Sequence, residues 1–481
     1  MVYKFKRKPR TYQLAALKKA LELDNAMALW FDPGLGKTKV AIDFSAIKYL
    51  KEGAKKVLIV CPLSAIGVWD EELELDYPSE FMTVPIVGDM KDRIKTVDGV
   101  LHTPLNCQTF MIINYDSLRN DKILGMVKKW KPQILLIDEM HYCKNPTTQR
   151  SKAVYYIRKK AKWVMGLTGT PIPKNPLDIF SQYKILDSSI FGTNFKDFKN
   201  EYSIPHPIFP KKVKDWKNLK DMAKKIHTIA YRMRDEECKT LPPLIIRDIP
   251  VYLSKKTQKV YKQMADEMIA ELDNLEVVTA KIAMTKVGKL QQIAGGFIQR
   301  IDKSLVDGKV KKQRVTFPVG SEKLDVFMDL VDRYIDNHKI LVGCQYLWEI
   351  RQIELRLEKR GVSYVTIKGG VDGDARTAAK IKFQSDPVCR VIIFQVAAAT
   401  AMTLTAGDIG ILYSCTRKWD HYWQWLKRIH REGQTKPVYI LRLISKGTVD
   451  RDIVEGLAEK RKFTDSVIDR SQYRNMLKPK F

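Results

Sequence analysis

A glycine-rich turn is the part of this sequence best suited to hold a phosphate. It follows an apolar run at residues 26–31, precedes a helical pattern, and reads Asp32-Pro33-Gly34-Leu35-Gly36-Lys37-Thr38. Gly34 and Gly36 let backbone N–H groups approach phosphate oxygens at the positive end of a helix, and Lys37 can reach the outer phosphates. Thr38 can ligate magnesium. This order of strand, turn and helix predicts a P-loop that binds ATP with Mg²⁺.

An acidic pair farther along the chain could act on the same phosphates. The pattern G-x-x-x-x-G-K-[ST] is complete except at its first glycine, where Phe31 stands. Downstream, the apolar run 133–137 ends in Asp138 and Glu139. Asp138 is placed to hold Mg²⁺, and Glu139 is placed to orient or deprotonate the attacking water. The pair therefore predicts hydrolysis of ATP rather than binding alone.

A basic helical pattern near residue 430 supplies candidate arginine fingers. The segment 424–434 sets Arg428 and Arg431 three residues apart, a spacing that puts two side chains on one face of a helix. Guanidinium groups that reach the γ-phosphate from another part of the chain stabilise the charge of the transition state. We therefore predict that both arginines take part in hydrolysis.

Apolar runs rich in β-branched residues alternate with helical patterns in two parts of the chain. They lie at 26–31, 56–60, 110–114 and 133–137, and again at 339–343, 363–367, 390–394, 409–413 and 437–441. Such alternation predicts parallel sheets with helices on both faces. The expected fold class is α/β, with two doubly wound parallel-sheet lobes and helical insertions between them.

Long helical patterns replace the apolar runs between about 180 and 320. We therefore expect a first, ATP-binding lobe at 1–235, with a helical insertion that begins near 180. A helical linker is expected at 236–320, and a second lobe at 321–481.

Charge is the unusual feature of the composition. Lys and Arg number 84 against 55 Asp and Glu, which gives a net charge of +29. Most of this excess positive charge must lie on the protein surface, where it attracts polyanions. Nucleic acid is therefore the expected partner, with anionic membranes or a solubility bias as alternatives.

The seven cysteines include no C-x-x-C pair, and the charge-free stretch 391–407 is short for a membrane span. We expect a cytoplasmic protein in a reducing compartment, without a membrane anchor.

Several segments follow one another in an order that is typical of one enzyme family. They are Arg10-Thr11-Tyr12-Gln13, CPLSAIGVWDEEL (61–73), DEMH (138–141), KNPTTQRSKA (144–153), GLTGTPIPKNPLDIF (166–180), LPPLIIRDIPVYLSKKTQKVYKQM (241–264) and HREGQTKPVYILRLISKGTVDRDI (430–453). Together they resemble the Swi/Snf-type DNA-dependent ATPases of helicase superfamily two. D-E-x-H is shared by many helicases, whereas the stretch 144–153 is typical of the Swi/Snf group.

The resemblance implies two RecA-like lobes that close over one ATP. The residues that it assigns to the nucleotide, beyond the P-loop, are Arg10, Tyr12, Gln13, Gly433 and Gln434. Those that it assigns to the coupling of hydrolysis to lobe movement are His141, Thr168 and Thr170.

Candidate nucleic-acid contacts come from both lobes. They are Ser64, Trp69, Lys368, Gly369, Gly370, Thr400, Thr403 and Thr405. For Trp69 the alternative is a core position. The segment 398–408 departs from the family, because alanines stand at its usual glycines and Thr403 stands at its usual Asn. Each added methyl group limits how closely a phosphate backbone can approach, so DNA grip or its coupling to ATP is expected to differ from the family norm.

We therefore expect a monomeric ATPase that uses Mg-ATP to move along duplex DNA, with duplex or branched DNA as its partner. A strand-separating helicase, or an enzyme that remodels branches or R-loops, is the alternative enzyme. A nucleotide-switched clamp on nucleic acid is the alternative of another class. The last motif lies near the end of the chain, which suggests a minimal form from the cytoplasm of a bacterium or of a virus-infected host. Protein partners are not specified by any motif.

Overall fold

The computed structural model describes residues 3–23, 25–207, 213–238, 241–273, 280–306, 309–369, 373–398, 404–431 and 433–468. The chain divides into two compact units, Met1–Thr240 with Lys460–Phe481 and Leu241–Glu459. The three-part division at residues 235 and 320 stays a prediction. None of the helices described is long and apolar enough to cross a membrane.

A parallel sheet forms the centre of the first unit. The strands up to residue 240 are β1 (Ala26–Phe31), β2 (Lys56–Cys61), β3 (Phe81–Pro85), β4 (Gln108–Asn114), β5 (Ile134–Asp138), β6 (Trp163–Leu167), β7 (Ser203–Pro205), β8 (Val213–Trp216) and β9 (Ala230–Met233). In the described part of the chain, seven of them form one sheet in the order β3-β4-β2-β5-β6-β1-β9. The strands β7 and β8 form a separate antiparallel pair.

Helices cover both faces of this sheet, which explains why its central strands are apolar throughout. They are α1 (Thr11–Leu23), α2 (Lys37–Glu52), α3 (Ile66–Asp76), α4 (Met90–His102), α5 (Asp121–Trp130), α6 (Gln149–Arg158), α7 (Asp178–Leu186), α8 (Ser188–Phe191), α9 (Phe195–Tyr202), α10 (Leu219–Ile226) and α11 (Asp235–Cys238). The helices α4 to α7 pack on one face of the sheet. The helices α1 to α3 contact the strands from the other face. Every residue of β1 and β4 is buried, as expected of strands covered on both sides.

The second unit contains another parallel sheet. The strands from residue 241 onward are β10 (Leu244–Val251), β11 (Phe297–Val306), β12 (Lys309–Pro318), β13 (Ile340–Cys344), β14 (Tyr364–Ile367), β15 (Val391–Gln395), β16 (Ile409–Leu412) and β17 (Val438–Ser445). Among the described residues, six of them form a sheet in the order β10-β17-β16-β13-β15-β14. The strands β11 and β12 form an antiparallel hairpin.

Two groups of helices bury the faces of the second sheet. The helices are α12 (Lys255–Asp273), α13 (Ala280–Ala294), α14 (Glu322–Tyr334), α15 (Leu347–Lys359), α16 (Gly373–Ser385), α17 (Trp419–Ile429) and α18 (Val449–Ile468). One core cluster joins the sheet to α14 and α15. The other joins it to α16, α17 and α18.

The expected α/β class with two doubly wound parallel sheets is confirmed. All nine strands predicted from apolar runs are present. The interval from 180 to 320, where helical insertions were expected, also contains the β7–β8 pair, β9, β10 and the β11–β12 hairpin. β10 pairs with β17 at the edge of the second sheet and is largely exposed. Its sequence LIIRDIPV, with Pro250 and two charged residues, is typical of an edge strand and lacks the continuous apolar character of the buried strands.

Candidate active site

The P-loop turn has the backbone geometry that the sequence predicts. Gly34 and Gly36 have φ angles of +93° and +74°, in the left-handed region, and Gly36 directly precedes α2. A side chain at position 36 would also meet Gln13, because its Cβ would lie 2.3 Å from Gln13 Nε2. Glycine at position 36 thus keeps the backbone of the turn open to a ligand at a helix N-terminus, where phosphates bind.

The first turn of α2 presents the two side chains expected to act on the phosphates. Lys37 and Thr38 are both half-buried. Lys37 Nζ donates a 2.9 Å hydrogen bond to the main-chain oxygen of Phe31, at the end of β1. The ammonium group is therefore held over the turn, as a cradle for phosphate requires.

The Arg10-Tyr12-Gln13 element at the start of α1 is anchored to the same turn. Gln13 is buried, and its Oε1 accepts a 2.8 Å hydrogen bond from the N–H of Arg10. Its Nε2 donates to the carbonyl oxygen of Leu35 at 3.1 Å, and the Tyr12 hydroxyl donates to that oxygen at 3.4 Å. The structure thus brings residues that are expected to bind the nucleotide beside the P-loop.

Asp138 is the last residue of β5 and Glu139 follows it, and neighbouring N–H groups hold the Asp138 carboxylate. Asp138 Oδ2 accepts a 3.0 Å hydrogen bond from the indole N–H of Trp69, and Oδ1 accepts one of 2.9 Å from the N–H of Glu139. Glu139 has a φ of +48°, an unusual backbone conformation for a residue with a side chain. The hydroxyl of Tyr115 donates to the carbonyl oxygen of Asp138 at 2.5 Å and so supports this turn.

The residues assigned to coupling lie against Glu139. His141 Nδ1 lies 2.9 Å from Thr168 Oγ1 and 3.2 Å from Glu139 Oε2. Thr170 Oγ1 is 3.4 Å from the same ring nitrogen. His141, Thr168 and Thr170 are all buried. Sheet order explains the cluster, because β6 ends just before Thr168 and lies between β5 and β1. The segment after β6 therefore contacts both the acidic pair and the P-loop, where a Cβ on Gly169 would lie 2.8 Å from Pro33.

The electrostatics of the acidic pair suit a divalent cation. Burial raises the pKa of Asp138 above its ordinary value, and the adjacent Glu139 carboxylate raises it further. Within the described residues, no group of three or more His, Cys, Asp or Glu side chains is arranged to hold a metal by itself. Magnesium commonly binds through one or two protein oxygens together with substrate phosphates and water. Asp138 and Thr38 are the residues here that would hold it, and the ion would neutralise phosphate charge.

The candidate arginine fingers lie at the end of α17, but not on one helix face as predicted. Arg428 belongs to the last turn of α17, is buried, and donates from Nε to the carbonyl oxygen of Gln424. Arg431 lies beyond the helix, which ends at Ile429. The reason is that His430 leaves helical geometry, with a ψ of 84°, while its Nε2 lies 2.8 Å from the carbonyl oxygen of Pro242. The spacing of three residues is thus not a helical spacing here.

Gly433 and Gln434 continue this turn after α17. Gly433 has a φ of +94°. Gln434 is buried, and its Nε2 donates to the carbonyl oxygen of Gly407 at 2.8 Å. Its Oε1 accepts from the N–H groups of Thr435 and Lys436. Both the nitrogen and the oxygen of the Gln434 amide therefore form hydrogen bonds within the turn. The expected contact of Gln434 with the nucleotide stays a prediction.

The predicted nucleic-acid contacts are only partly described. Gly370, Thr400 and Thr403 lie outside the described residues. Lys368 and Gly369 are exposed directly after β14, and Ser64 is half-buried after β2. Thr405 is half-buried, and its Oγ1 accepts a 3.4 Å hydrogen bond from Gln384. These residues stay candidates for contact with a nucleic-acid backbone.

Trp69 has a different environment from that of a base-stacking platform. Its side chain is 1% exposed, and its N–H is bonded to Asp138, so neither ring face is open to a base. The core alternative therefore describes its position better. This bond and the bond from Tyr115 were not predicted from the sequence. The available signal was position, since both residues follow strands that end at the same sheet edge as β5.

Two family models match this chain. The family model for the SNF2-related domain matches residues 12–296, and that for the helicase conserved C-terminal domain matches residues 322–433. Chromodomain-helicase-DNA-binding protein 1-like of Mus musculus is 26% identical to this chain, over 96% of this chain and 50% of that protein. An uncharacterized ATP-dependent helicase of Mycoplasma pneumoniae is 25% identical, over 95% of this chain and 42% of that protein.

A solved structure is similar over almost its full length. The Sulfolobus solfataricus SWI2/SNF2 ATPase core in complex with dsDNA is 22% identical, with a TM-score of 0.44, and the match covers 99% of this chain and 96% of that one. The chain spans about half the length of the curated relatives described above. Because the SNF2-related match covers more than half of the 481 residues, the chain belongs to the SNF2-related family.

Proposed function

We propose that this chain is a DNA-dependent ATPase that uses Mg-ATP to move along duplex DNA, without necessarily separating the strands. The observation that carries the proposal is the arrangement at the carboxyl edge of the first sheet. There, Lys37 lies over an open glycine turn, and Glu139 lies within 3.2 Å of His141. A phosphate cradle and a carboxylate linked to a buried polar cluster are the parts that a coupled ATPase needs.

Each side chain of the site then has a chemical role. Lys37 neutralises charge on the outer phosphates, and Asp138 with Thr38 holds magnesium. Glu139 orients the attacking water and accepts its proton. When the Glu139 carboxylate changes its contacts during hydrolysis, the contacts of His141 and Thr168 with it and with each other change as well. This link is the proposed origin of coupling between hydrolysis and movement.

Arg428 and Arg431 are proposed to act from the second lobe. A guanidinium group that binds the γ-phosphate favours the closed arrangement of the lobes while that charge is present and no longer does so after hydrolysis. If each lobe also holds phosphates of the same strand, repeated closure moves the protein along that strand. The candidate contacts for this grip are Ser64, Lys368, Gly369, Gly370, Thr400, Thr403 and Thr405.

Duplex or branched DNA is the proposed partner, bound by a monomer. Support comes from the net charge of +29 and from a relative that is named as a DNA-binding helicase. Because backbone contacts release counterions and carry no base information, affinity should fall steeply with salt and depend little on sequence. The expected location in the cytoplasm of a bacterium or an infected host stays a prediction.

The first test is the ATPase rate measured in parallel with duplex DNA, single-stranded DNA and RNA. Strongest stimulation by duplex DNA is expected. Absence of stimulation by any nucleic acid would contradict the proposal.

The second test separates translocation from strand separation. One labelled strand is the third strand of a triplex, and another belongs to a tailed duplex; release of each is followed with and without ATP. A translocase should displace the third strand and unwind the long duplex weakly, because breaking base pairs costs about 1.4 kcal/mol per step. Release from the tailed duplex alone would favour the helicase. Release from neither, despite DNA-stimulated hydrolysis, would favour the nucleotide-switched clamp.

A further inference from the structure

Trp69 is the residue of α3 that reaches the acidic pair. It is fully buried, and its Nε1 donates to Asp138 Oδ2 at 3.0 Å, across a separation of 69 residues in the chain. Sheet order creates the contact, because β2 pairs with β5 and α3 begins shortly after β2 ends. The indole N–H is a donor only, so it can bond to a carboxylate oxygen but not to a cation.

The remaining contacts of Asp138 leave its orientation dependent on Trp69. The other carboxylate oxygen, Oδ1, accepts from the N–H of the next residue, Glu139. That bond comes from the same turn as the carboxylate itself. The bond from Trp69 comes from a separate helix and therefore sets the plane of the carboxylate relative to the rest of the sheet.

The helix that carries Trp69 is itself tied to the helix that carries the P-loop lysine. Lys39 Nζ, on α2, lies 3.0 Å from Asp43 Oδ2 and 3.3 Å from Asp76 Oδ1, at the end of α3. All three side chains are buried. Breaking a buried pair of this kind is strongly destabilising, so α2 and α3 are expected to keep their relative position. Because α2 carries Thr38 and α3 carries Trp69, this ion pair also fixes Thr38 relative to the Asp138 carboxylate.

We infer that Trp69 is a positioning residue for magnesium: its indole N–H holds the Asp138 carboxylate in the orientation in which Asp138 and Thr38 can share one ion. This inference rests on the proposed function, because it requires Mg-nucleotide to bind at the P-loop. Groups that orient a metal ligand through a hydrogen bond commonly change metal affinity by about 10- to 100-fold when removed.

The test is Trp69→Phe, which removes the N–H and keeps most of the ring volume. The dissociation constant of a fluorescent ATP analogue is measured in EDTA and in saturating Mg²⁺. The constant in EDTA divided by the constant in Mg²⁺ gives the factor by which Mg²⁺ strengthens binding, here called the Mg²⁺ ratio. We expect Trp69→Phe to leave the affinity in EDTA unchanged and to reduce that ratio about tenfold. An unchanged ratio in Trp69→Phe would overturn the inference.

Trp130→Phe is the matched control. Trp130 is buried in the same unit, and its indole N–H has no hydrogen-bond partner among the described residues. Its substitution makes the same change of ring size in the core of this unit and should leave the Mg²⁺ ratio unchanged. An equal loss of the ratio in both variants would show a general packing effect and overturn the inference.

A spectroscopic measurement adds a second readout. The chain has nine tryptophans, and the indole N–H resonance that disappears in Trp69→Phe identifies Trp69. That resonance should shift when nucleotide is added with Mg²⁺ and stay in place when nucleotide is added with EDTA. If wild-type protein binds nucleotide without any Mg²⁺ effect, the magnesium assignment and the inference both fail. If the Mg²⁺ effect is present but the resonance does not respond, only the inference fails.

Discussion

Lys37 bonds to the main chain of Phe31, the residue that stands where the P-loop pattern has its first glycine. The turn therefore uses Phe31 through its carbonyl oxygen rather than through its side chain. The ring is fully buried and meets Tyr12 and Tyr231 edge-on, with centroid separations of 5.6 and 6.1 Å. A phenylalanine is compatible with a phosphate cradle here because its ring packs into the core.

Phe31→Leu should keep nucleotide affinity. The substitution retains the carbonyl oxygen and an apolar side chain but leaves a small cavity, so we expect a loss of unfolding free energy of about 1–2 kcal/mol and an unchanged dissociation constant for ATP. Denaturant unfolding and equilibrium binding measure the two quantities. A tenfold weaker affinity with normal stability would mean that the ring contacts the nucleotide.

Lys37→Ala should abolish turnover while the fold survives. The variant removes the positive charge from the phosphates, and the lost hydrogen bond to Phe31 involves a half-buried side chain. Steady-state ATP hydrolysis and thermal unfolding measure the two effects. Lys51→Ala, on the exposed last turn of the same helix, is the control and should behave as wild type. Wild-type hydrolysis in Lys37→Ala would remove the site assignment.

Glu139→Gln should separate binding from hydrolysis. Asp138, Thr38 and Lys37 remain, so Mg-ATP should bind with near wild-type affinity. Loss of a general base typically lowers the rate by about 10²- to 10⁴-fold. Single-turnover hydrolysis and nucleotide binding are the measurements. Loss of binding together with hydrolysis would indicate that the carboxylate serves the turn with a φ of +48° rather than the chemistry.

Arg428→Ala and Arg431→Ala should lose hydrolysis with only a modest change in ATP affinity. The charge that they are proposed to contact develops in the transition state, and an arginine finger contributes about a thousandfold or more in rate. The rate of DNA-stimulated hydrolysis is compared with the affinity for a non-hydrolysable analogue. Arg351→Ala, at an exposed site in the same unit, is the control. Full activity in both variants would exclude the role.

The buried carboxyl group of Glu349 should make stability depend on pH. Burial raises its pKa from 4.5 to about 7, although Ser414 donates to it and Lys323 lies near enough to oppose the shift. Between these two values the folded state holds a proton that the unfolded state has lost. The unfolding free energy should therefore fall as pH rises through this window, by up to about 1.4 kcal/mol per pH unit.

Glu349→Gln isolates this contribution. The stability of the variant relative to wild type should increase from pH 5 to about pH 7 and then level off, because glutamine does not titrate. Unfolding curves at several pH values measure the difference in unfolding free energy between the variant and wild type. The contributions of the other titrating groups are the same in both proteins and cancel in this difference. A difference that is constant with pH would mean that Glu349 stays charged, with Lys323 and the buried Lys323–Asp450 pair as its compensation.

Groups that are formed by neighbours in the chain could be predicted from the sequence. The order of strand, glycine turn and helix at 26–50 is local, so residue types and spacing were enough to predict the turn at Gly36. The pair Asp138 and Glu139 was recognisable for the same reason, since an apolar run ends there. Family motifs added Gln13, whose bond to Leu35 confirms only its proximity to the P-loop.

The sequence pattern gave a wrong prediction at the end of α17, where a hydrogen bond between distant residues changes the backbone conformation. The periodicity around Arg428 favours a continuing helix, yet α17 ends at Ile429, where the ring of the next residue, His430, meets Pro242. These two residues are 188 positions apart in the chain. Helical spacing alone therefore could not predict that Arg431 lies beyond the helix.

The sequence by itself determined the glycine turn before α2, the acidic pair and the presence of two parallel sheets, because each depends on residue type and periodicity within a short segment. Only the tertiary structure decided which side chains meet around these groups. The placement of β6 between β1 and β5 brings Thr168 to His141, and the pairing of β2 with β5 brings Trp69 to Asp138. The order of strands in a sheet is set by packing among distant segments, so no local pattern encodes it.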